Sequence, residues 1–452
     1  MQSLDSTIVA TALPNIATTF GEPPLRLSIV IIAYMLGQCV FTPVSAWMAD
    51  RFGANVAFRG AIILFTVASI LCGFSQNLWE LTAARLLQGI GGSMMMPVGR
   101  LLLLRSVEGS EFLRANTYLA LLGQLGPMLG PPIGGVFATY ISWRWIFLIN
   151  APIGVAGVLL ASKYIQNFRA DVRSPFDSIG FVLTGIALSC VMYGLDSTGH
   201  QSIGIPVVAA LVCGGALLGY TAWRSMHMPA PLLDFALYRI GSFRLNITAG
   251  TLFRFTNATS TFLLPLLFQV GFGMPAFKSG LLLFAFSAGT VTVRKGVEVL
   301  VRRTSFRTLM TSSCSVLTLL LPLFILLSVD TPLVWVVLLL LATGLLQALL
   351  FVVLNTLAYL EIPPQKMSVA TSLGQLGNQV GNSLGVAIVA ALLQVVLALR
   401  GGSVVDVADF GPAFIFMTAC GLGAVLIFIR TPADLGEALR GKRKASVAPP
   451  EP

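Results

Sequence analysis

Charged residues are scarce in this sequence of 452 residues, because Asp, Glu, Lys and Arg together make up only 10% of it. A soluble globular domain contains about 25% charged residues. Hydrophobic residues reach 56%, and the mean hydropathy is +0.86. The composition therefore excludes an ordinary soluble protein and predicts an integral membrane protein with many spans.

Cysteine and histidine are also few, and neither is arranged as a site. The six cysteines lie in separate apolar runs, without C-x-x-C spacing and without a neighbouring histidine. The two histidines, His200 and His227, fall in predicted loops. The phosphate-binding pattern G-x-x-x-x-G-K-[ST] is absent from the sequence. We therefore expect no metal, no cofactor, no ATP-driven step and no enzymatic activity.

Acidic residues are outnumbered, with 18 against 28 basic residues and a net charge of +10. A net positive charge could indicate a nucleic-acid partner. The position of the charges excludes it, because Lys and Arg occupy short links between apolar runs rather than one basic face.

The basic residues also indicate how the chain lies in the membrane. With the N-terminus placed inside, 21 of the 28 basic residues fall in inner links or the tail, four in outer links and three within spans. Because Lys and Arg are enriched in cytoplasmic loops, both termini are predicted to lie in the cytoplasm, which requires an even number of spans.

Long apolar runs are abundant, and most of them approach the roughly 20 residues that cross about 30 Å of hydrocarbon. The first run is interrupted by Asp5 and Pro14, so we expect further apolar residues upstream of Met1 to complete this span. The tail after Arg430 is polar, basic and then rich in proline, which predicts disorder over residues 431–452. The fourteen runs lie near 1–20, 27–48, 56–75, 79–104, 115–139, 144–166, 178–195, 203–223, 245–270, 277–293, 307–329, 332–359, 368–398 and 411–430.

A stretch inside the fifth run holds three prolines and four glycines in ten residues. In a soluble helix, an interior proline costs about 3 kcal/mol and a glycine about 1 kcal/mol. In a membrane, neighbouring helices satisfy the freed backbone groups, and glycine lets two helices approach closely. Because Gly130 and Gly134 share one helix face, we predict a kinked helix pressed against a partner. The candidate residues of this stretch are Gly126, Pro127, Gly130, Pro131, Gly134 and Gly135.

Asp5 is the one acidic residue clearly within a predicted span. An ionisable group in hydrocarbon costs several kcal/mol and is a functional candidate by default. Asp5 is therefore a candidate proton carrier. The alternative is a structural aspartate held by Ser6, by Thr7 or by a neighbouring helix.

Three arginines also fall within predicted spans. Arg85 and Gln88 share a helix face, and the pair could line a substrate cavity or brace the first helix. Arg100 lies on the same helix and is assigned to the cavity, although it could extend to the inner interface instead. Arg254 has Asn257 on its face, three residues further along, and both are predicted to line the cavity.

A candidate conformational latch lies at the end of the second run. Asp50 could meet the positive N-terminal end of a neighbouring helix and, with Arg51, hold the two halves of the protein in one conformation. Gly53 would supply the tight turn that follows. The alternative is a solvated ion pair of little energy.

Five stretches together resemble the fourteen-helix branch of the drug:proton antiporters of the major facilitator superfamily, the EmrB/QacA-like group and most closely its MdtD subgroup. This sequence differs from the usual pattern of that branch at two positions. It has Ala10 where the branch usually has Asn, and Ala46 where the branch usually has Gly. The usual basic pair after Gly53 is missing too. The five stretches are Met1–Pro14, Ser45–Gly53, Arg85–Gly92, Gly126–Gly135 and Ser142–Gly154.

The resemblance implies an all-α polytopic fold with two six-helix bundles and two inserted central helices. The bundles would cover residues 1–166 and 231–430, with the linker and central helices at 167–230. It links Arg85 with proton movement and implies proton-coupled antiport of small amphipathic molecules across the cytoplasmic (inner) membrane. Small molecules, protons and lipid are the expected partners, with accessory export proteins a further one.

The residues alone leave two other functions open. Arg85, Arg100 and Arg254 set against Asp5 make the predicted interior net positive, as an exporter of organic anions or metabolites would require. A membrane sensor or scaffold without transport activity is the third alternative.

Overall fold

The computed structural model of the protein describes residues 1–106, 126, 128–165, 176–197, 205–228, 235–292, 304–362, 367–401 and 405–432. Within these ranges the chain forms fourteen long helices, one for each predicted apolar run. They are α1 (Gln2–Phe20), α2 (Ser28–Phe52), α3 (Ala54–Phe74), α4 (Leu78–Ser106), α5 (Met128–Ile141), α6 (Trp145–Tyr164), α7 (Ser178–Ser197), α8 (Ile205–Met226), α9 (Gly241–Leu266), α10 (Ala276–Thr292), α11 (Phe306–Leu320), α12 (Leu333–Leu360), α13 (Met367–Arg400) and α14 (Gly411–Ile429).

Eight of these helices are long and apolar enough to cross a membrane, and α5, α7 and α10 are apolar but shorter. The three helices outside both groups are α1, α4 and α9. Each of them contains a buried ionisable residue, namely Asp5, Arg85 and Arg254. The helices that are hardest to assign as spans by composition are therefore those that carry the candidate site.

Helix packing places the two halves of the chain side by side. In the first half, α4 lies between α2 and α3, and α6 packs against α3. In the second half, α9 packs against α12, α13 and α14, and α10 packs along α12. Helices α7 and α8 form a pair, of which α7 also contacts α2 and α13. The predicted division near residues 166 and 230 lies outside the described residues, as do residues 433–452.

The two halves meet along α2 and α13, and α1 contacts both α9 and α10. Polar groups occur at the first of these interfaces. Gln379 Nε2 donates a hydrogen bond to Gln38 Oε1, and the Sγ atom of Cys39 lies 3.9 Å from Oγ of Ser383. Helix α1 thus belongs to the first half by sequence and forms part of the contact with the second.

Candidate functional site

The carboxylate of Asp5 lies at the centre of a buried hydrogen-bond network. Arg85 Nη1 donates to Asp5 Oδ2 at 2.5 Å, and Gln88 Nε2 donates to Asp5 Oδ1 at 2.9 Å. Asn150 Nδ2 also donates to Asp5 Oδ1, at 3.4 Å. Each of these four residues is at most 1% exposed. The carboxylate of α1 therefore has donors from α4 and α6, in a site closed to bulk solvent.

The guanidinium group of Arg85 has contacts besides Asp5. Its Nη1 atom donates to Gln88 Oε1 at 2.6 Å, one turn further along α4. Its Cζ atom lies 4.1 Å from the centre of the Tyr34 ring and 5.8 Å from that of Phe147. A desolvated cation–π contact contributes about 2 kcal/mol. The charge of Arg85 is therefore held by an amide oxygen and aromatic faces as well as by the carboxylate.

Asn150 joins the carboxylate to α3. It begins the longer segment of α6, directly after a break in that helix. Its Nδ2 atom donates to Ser69 Oγ at 3.1 Å as well as to Asp5, and Ser69 donates to the backbone oxygen of Phe147 at 2.9 Å. The network thus connects side chains of α1, α3, α4 and α6.

The glycines of α5 form its contact with α1. A Cβ atom on Gly130 would lie 2.9 Å from Cβ of Thr7, and one on Gly134 would lie 2.7 Å from the backbone oxygen of Ile8. Gly126, one turn earlier, also abuts the α1 backbone. The close contact predicted from the glycine spacing is confirmed, and its partner is the helix that carries Asp5.

The other side of α5 contacts the second half of the chain. A Cβ atom on Gly135 would lie 2.6 Å from the backbone oxygen of Ala276, and Gly280 of α10 abuts the backbone carbonyl group of Pro131. Helix α5 therefore lies between α1 and α10 with backbone contacts on both sides. This arrangement links the position of α1 to that of α10.

A cavity of about 330 Å³ lies between the two halves. Pockets for small molecules commonly have volumes of about 300–1,000 Å³. None of the described residues that line this cavity is Asp, Glu, Lys, Arg or His. The lining residues that donate or accept hydrogen bonds through their side chains are Ser6, Thr7, Thr11, Asn257, Ser260, Thr261, Ser287, Thr290, Gln347 and Asn382.

Two predicted cavity residues are not in its wall. Gln88 is fully buried and bonded to Asp5. Arg254 donates from Nη1 to the backbone oxygen of Asn246 at 2.9 Å, and from Nη2 to Asn246 Oδ1 at 2.8 Å. Helical side chains point towards the N-terminus of their helix, and the absent side chain of Gly250 leaves room for the guanidinium group. The prediction erred because it paired Arg254 with residues further along the helix.

Asn257 lies in the wall of this cavity, and its predicted contact with substrate stays a prediction. The side chains of Asp50 and Arg100, and the whole of Pro127, lie outside the described part of the structure. The roles predicted for these three residues stay predictions.

The turn after α2 has the conformation predicted for it. Gly53 has a φ of 101°, a conformation that L side chains rarely adopt. Arg51 is exposed, and its Cζ atom lies 5.8 Å from the centre of the Trp47 ring. The function of this turn as a conformational latch stays a prediction.

The sequence did not single out Asn150, Tyr34 or Ser69. Each is a polar side chain within an apolar run, which is a signal for a buried contact in a membrane protein. Many other Ser and Thr residues share that property, however, so the signal does not select these three. Their contribution depends on helix contacts between distant parts of the chain.

Replacing Arg85 with Leu is expected to destabilise the protein. Removing one member of a buried ion pair costs about 3–5 kcal/mol, because the remaining charge stays without its partner. The double variant Asp5→Asn/Arg85→Leu is expected to recover part of that loss, and thermal unfolding of the purified protein measures both changes. A double variant no more stable than Arg85→Leu alone would contradict the pairing.

The comparisons with known proteins agree with this architecture. The family model described as Major Facilitator Superfamily matches residues 1–386. A protein of Serratia proteamaculans named multidrug resistance protein MdtD is 37% identical over 449 residues, which cover 96% of this chain and 91% of that protein. A protein of the same name from Yersinia enterocolitica is 36% identical over 451 residues, covering 96% and 93%.

Solved structures of two transporters have the same fold. A D-xylose–proton symporter superposes with a TM-score of 0.68 at 11% identity, covering 96% of this chain and 95% of the symporter. An auto-inhibited peptide transporter of the POT family superposes with a TM-score of 0.66 at 18% identity, covering 100% and 97%. With fourteen helices in its described ranges, a family match over residues 1–386 and relatives matched almost end to end, this multi-pass membrane protein belongs to the Major Facilitator Superfamily.

Proposed function

We propose that this protein is a secondary exporter that exchanges inward-moving protons for outward-moving small amphipathic molecules. The observation that carries the proposal is the carboxylate of Asp5, buried among donors from two other helices in a chain of this family. An intramembrane carboxylate of this kind is a typical proton carrier. The relatives carry the name multidrug resistance protein MdtD, and this name supports small-molecule export.

Protonation of Asp5 would change the network without leaving Arg85 isolated. A neutral carboxyl group loses the Coulomb attraction to Arg85 and accepts hydrogen bonds less strongly. Arg85 would keep its bond to Gln88 Oε1 and its contact with the Tyr34 ring. The contact between α1 and α4 can therefore loosen on protonation and tighten on release of the proton.

Helix α1 is the element that would couple this change to the substrate. Asp5 faces the buried network, whereas Ser6, Thr7 and Thr11 of the same helix line the cavity. A shift of α1 relative to α4 therefore changes the cavity wall. Because α5 contacts both α1 and α10, the same shift would be passed to the second half of the chain, as alternating access requires.

The proposal includes the orientation and the energy source. The basic residues favour both termini in the cytoplasm, with the protein in the cytoplasmic membrane. The proton gradient then drives export, without ATP and without a bound cofactor. The test is transport by the purified protein in inverted vesicles under an imposed pH gradient, comparing lipophilic cations, neutral amphipathic molecules and polycarboxylates. Absence of pH-dependent uptake of every one of these would overturn the proposal.

Export of organic anions is the second candidate, supported by the buried arginines Arg85 and Arg254. Two observations weigh against it. Arg85 is paired with Asp5, and Arg254 is bonded to Asn246 rather than lining the cavity. An anion in this cavity would therefore meet neutral side chains in this conformation.

The variant Arg254→Gln separates these two candidates. Loss of a desolvated, charge-assisted contact would weaken the binding of an anion by up to about 3 kcal/mol. Because Arg254 does not line the cavity, we expect the affinity for transported molecules to stay unchanged. Equilibrium binding of a polycarboxylate and of a neutral probe to the purified variant measures this directly. Selective loss of polycarboxylate binding would favour the anion exporter.

A further inference from the structure

Gln347 of α12 is a buried amide in the wall of the cavity. It is 2% exposed, and its Nε2 atom donates to Oγ of Ser260 at 3.1 Å. Its Oε1 atom is buried and has no hydrogen-bond partner among the described residues. A buried acceptor without a partner is unfavourable in a folded protein. Because Gln347 belongs to the wall of the cavity, a small rotation of its side chain would bring this covered oxygen to a donor inside the cavity.

The orientation of the Gln347 amide follows from its neighbour. The hydroxyl group of Ser260 donates its single proton to the backbone oxygen of Thr256 at 2.8 Å. Towards Gln347 it can therefore only accept, so the NH₂ group of Gln347 must face Ser260. Oε1 is thus the atom of this amide that has no hydrogen-bond partner among the described residues, whereas Nε2 already donates one of its two protons to Ser260.

The remainder of the wall determines what kind of ligand can enter. The described lining residues are uncharged, and Phe262, Phe286 and Phe351 supply aromatic surface. An ion transferred from water into such a site loses hydration and gains no counter-charge. A neutral molecule with an apolar body loses little and gains contact with the aromatic rings.

We propose that the cavity binds an uncharged amphipathic molecule that donates a hydrogen bond to Oε1 of Gln347. The apolar part of that molecule packs against the three phenylalanines. This inference rests on the proposed export function and specifies its substrate class as neutral donors rather than lipophilic cations or organic anions. Gln347 is then a specificity-determining residue, because it separates molecules with a donor group from those without one.

The experiment uses two probes that differ in a single donor. Radiolabelled 4-phenylphenol carries one hydroxyl group and is neutral at pH 7, whereas 4-methoxybiphenyl has the same rings and no donor. Binding to the purified protein in lipid nanodiscs is measured by scintillation proximity, with protein-free nanodiscs subtracted. One well-formed hydrogen bond corresponds to about a tenfold difference in affinity, so we expect the phenol to bind about tenfold more tightly than the ether.

The variant Gln347→Leu is expected to remove this preference, so that the two probes bind equally. Gln347→Met, which keeps the length of the side chain, provides the same test if the leucine variant folds poorly. The matched control is Gln394→Leu, because Gln394 is also a buried amide whose Oε1 atom has no partner in the described part of the chain, but it does not line the cavity. This control is expected to keep the full preference for the phenol.

Three results would overturn the inference. They are equal binding of the two probes by the unmodified protein, an unchanged preference in both Gln347 variants, and tighter binding of tetraphenylphosphonium or 4-phenylbenzoate than of the phenol. The measurement is made at equilibrium without a pH gradient. Its failure is therefore distinguishable from failure of the proposed function, which would appear as absent pH-driven transport.

Discussion

The variant Asp5→Asn is expected to lose all pH-driven uptake into inverted vesicles. Asparagine has the shape of a protonated aspartate and keeps an oxygen that can accept from Gln88 and Asn150, but it cannot take up or release a proton. Arg85 keeps Gln88 and the Tyr34 ring as contacts, so we expect the variant to fold and to bind its substrate. Uptake should therefore fall to the level of vesicles without the protein, while equilibrium binding persists.

The control for this prediction is another buried aspartate paired with an arginine. Asp409 is 2% exposed and accepts from Arg400 Nη1 at 2.9 Å, in a short helical turn before α14 and away from the α1 network. Asp409→Asn is expected to retain pH-driven uptake. If Asp5→Asn transports at the full rate under the same gradient, Asp5 does not carry the coupling proton.

The sequence was sufficient to predict the helices but not the contacts among their polar residues. Apolar runs of about 20 residues identify spans because hydrocarbon thickness sets their length. Asp5 and Arg85 could each be selected as an ionisable residue in an apolar run. Their pairing could not be read from the sequence, because 80 residues separate them and helix packing alone brings them together.

The cavity was less predictable than the proton site. Gln347 lies in a run composed largely of leucine and other apolar residues, and a single amide there gives no periodic signal. Its significance comes from Ser260 on another helix, which fixes the orientation of the amide. Arg254 shows the opposite case, since its charge in an apolar run was a strong signal, yet its side chain turns back to Asn246.

The second prediction with a large expected effect concerns the close contact between α1 and α5 rather than proton binding by Asp5. Gly130→Leu is expected to abolish transport while membrane insertion stays intact. Even the first atom of the new side chain would lie 2.9 Å from Cβ of Thr7 and 3.2 Å from the backbone nitrogen of Ile8. Helices α1 and α5 would have to separate, because a backbone cannot yield as a flexible side chain does, and overpacking costs about 1–3 kcal/mol or more.

A control for this substitution is available on another membrane helix of the same chain. Gly219 of α8 is exposed, and a Cβ atom there would meet nothing within 4 Å, so Gly219→Leu adds the same side chain without pressing two helices apart. We expect that variant to insert and to transport normally. Separation of α1 from α5 would shift Asp5 from Arg85 and move Thr7 in the cavity wall, so proton coupling and substrate binding should fail together in Gly130→Leu. Normal pH-driven uptake by Gly130→Leu would show that α1 and α5 do not act as a unit.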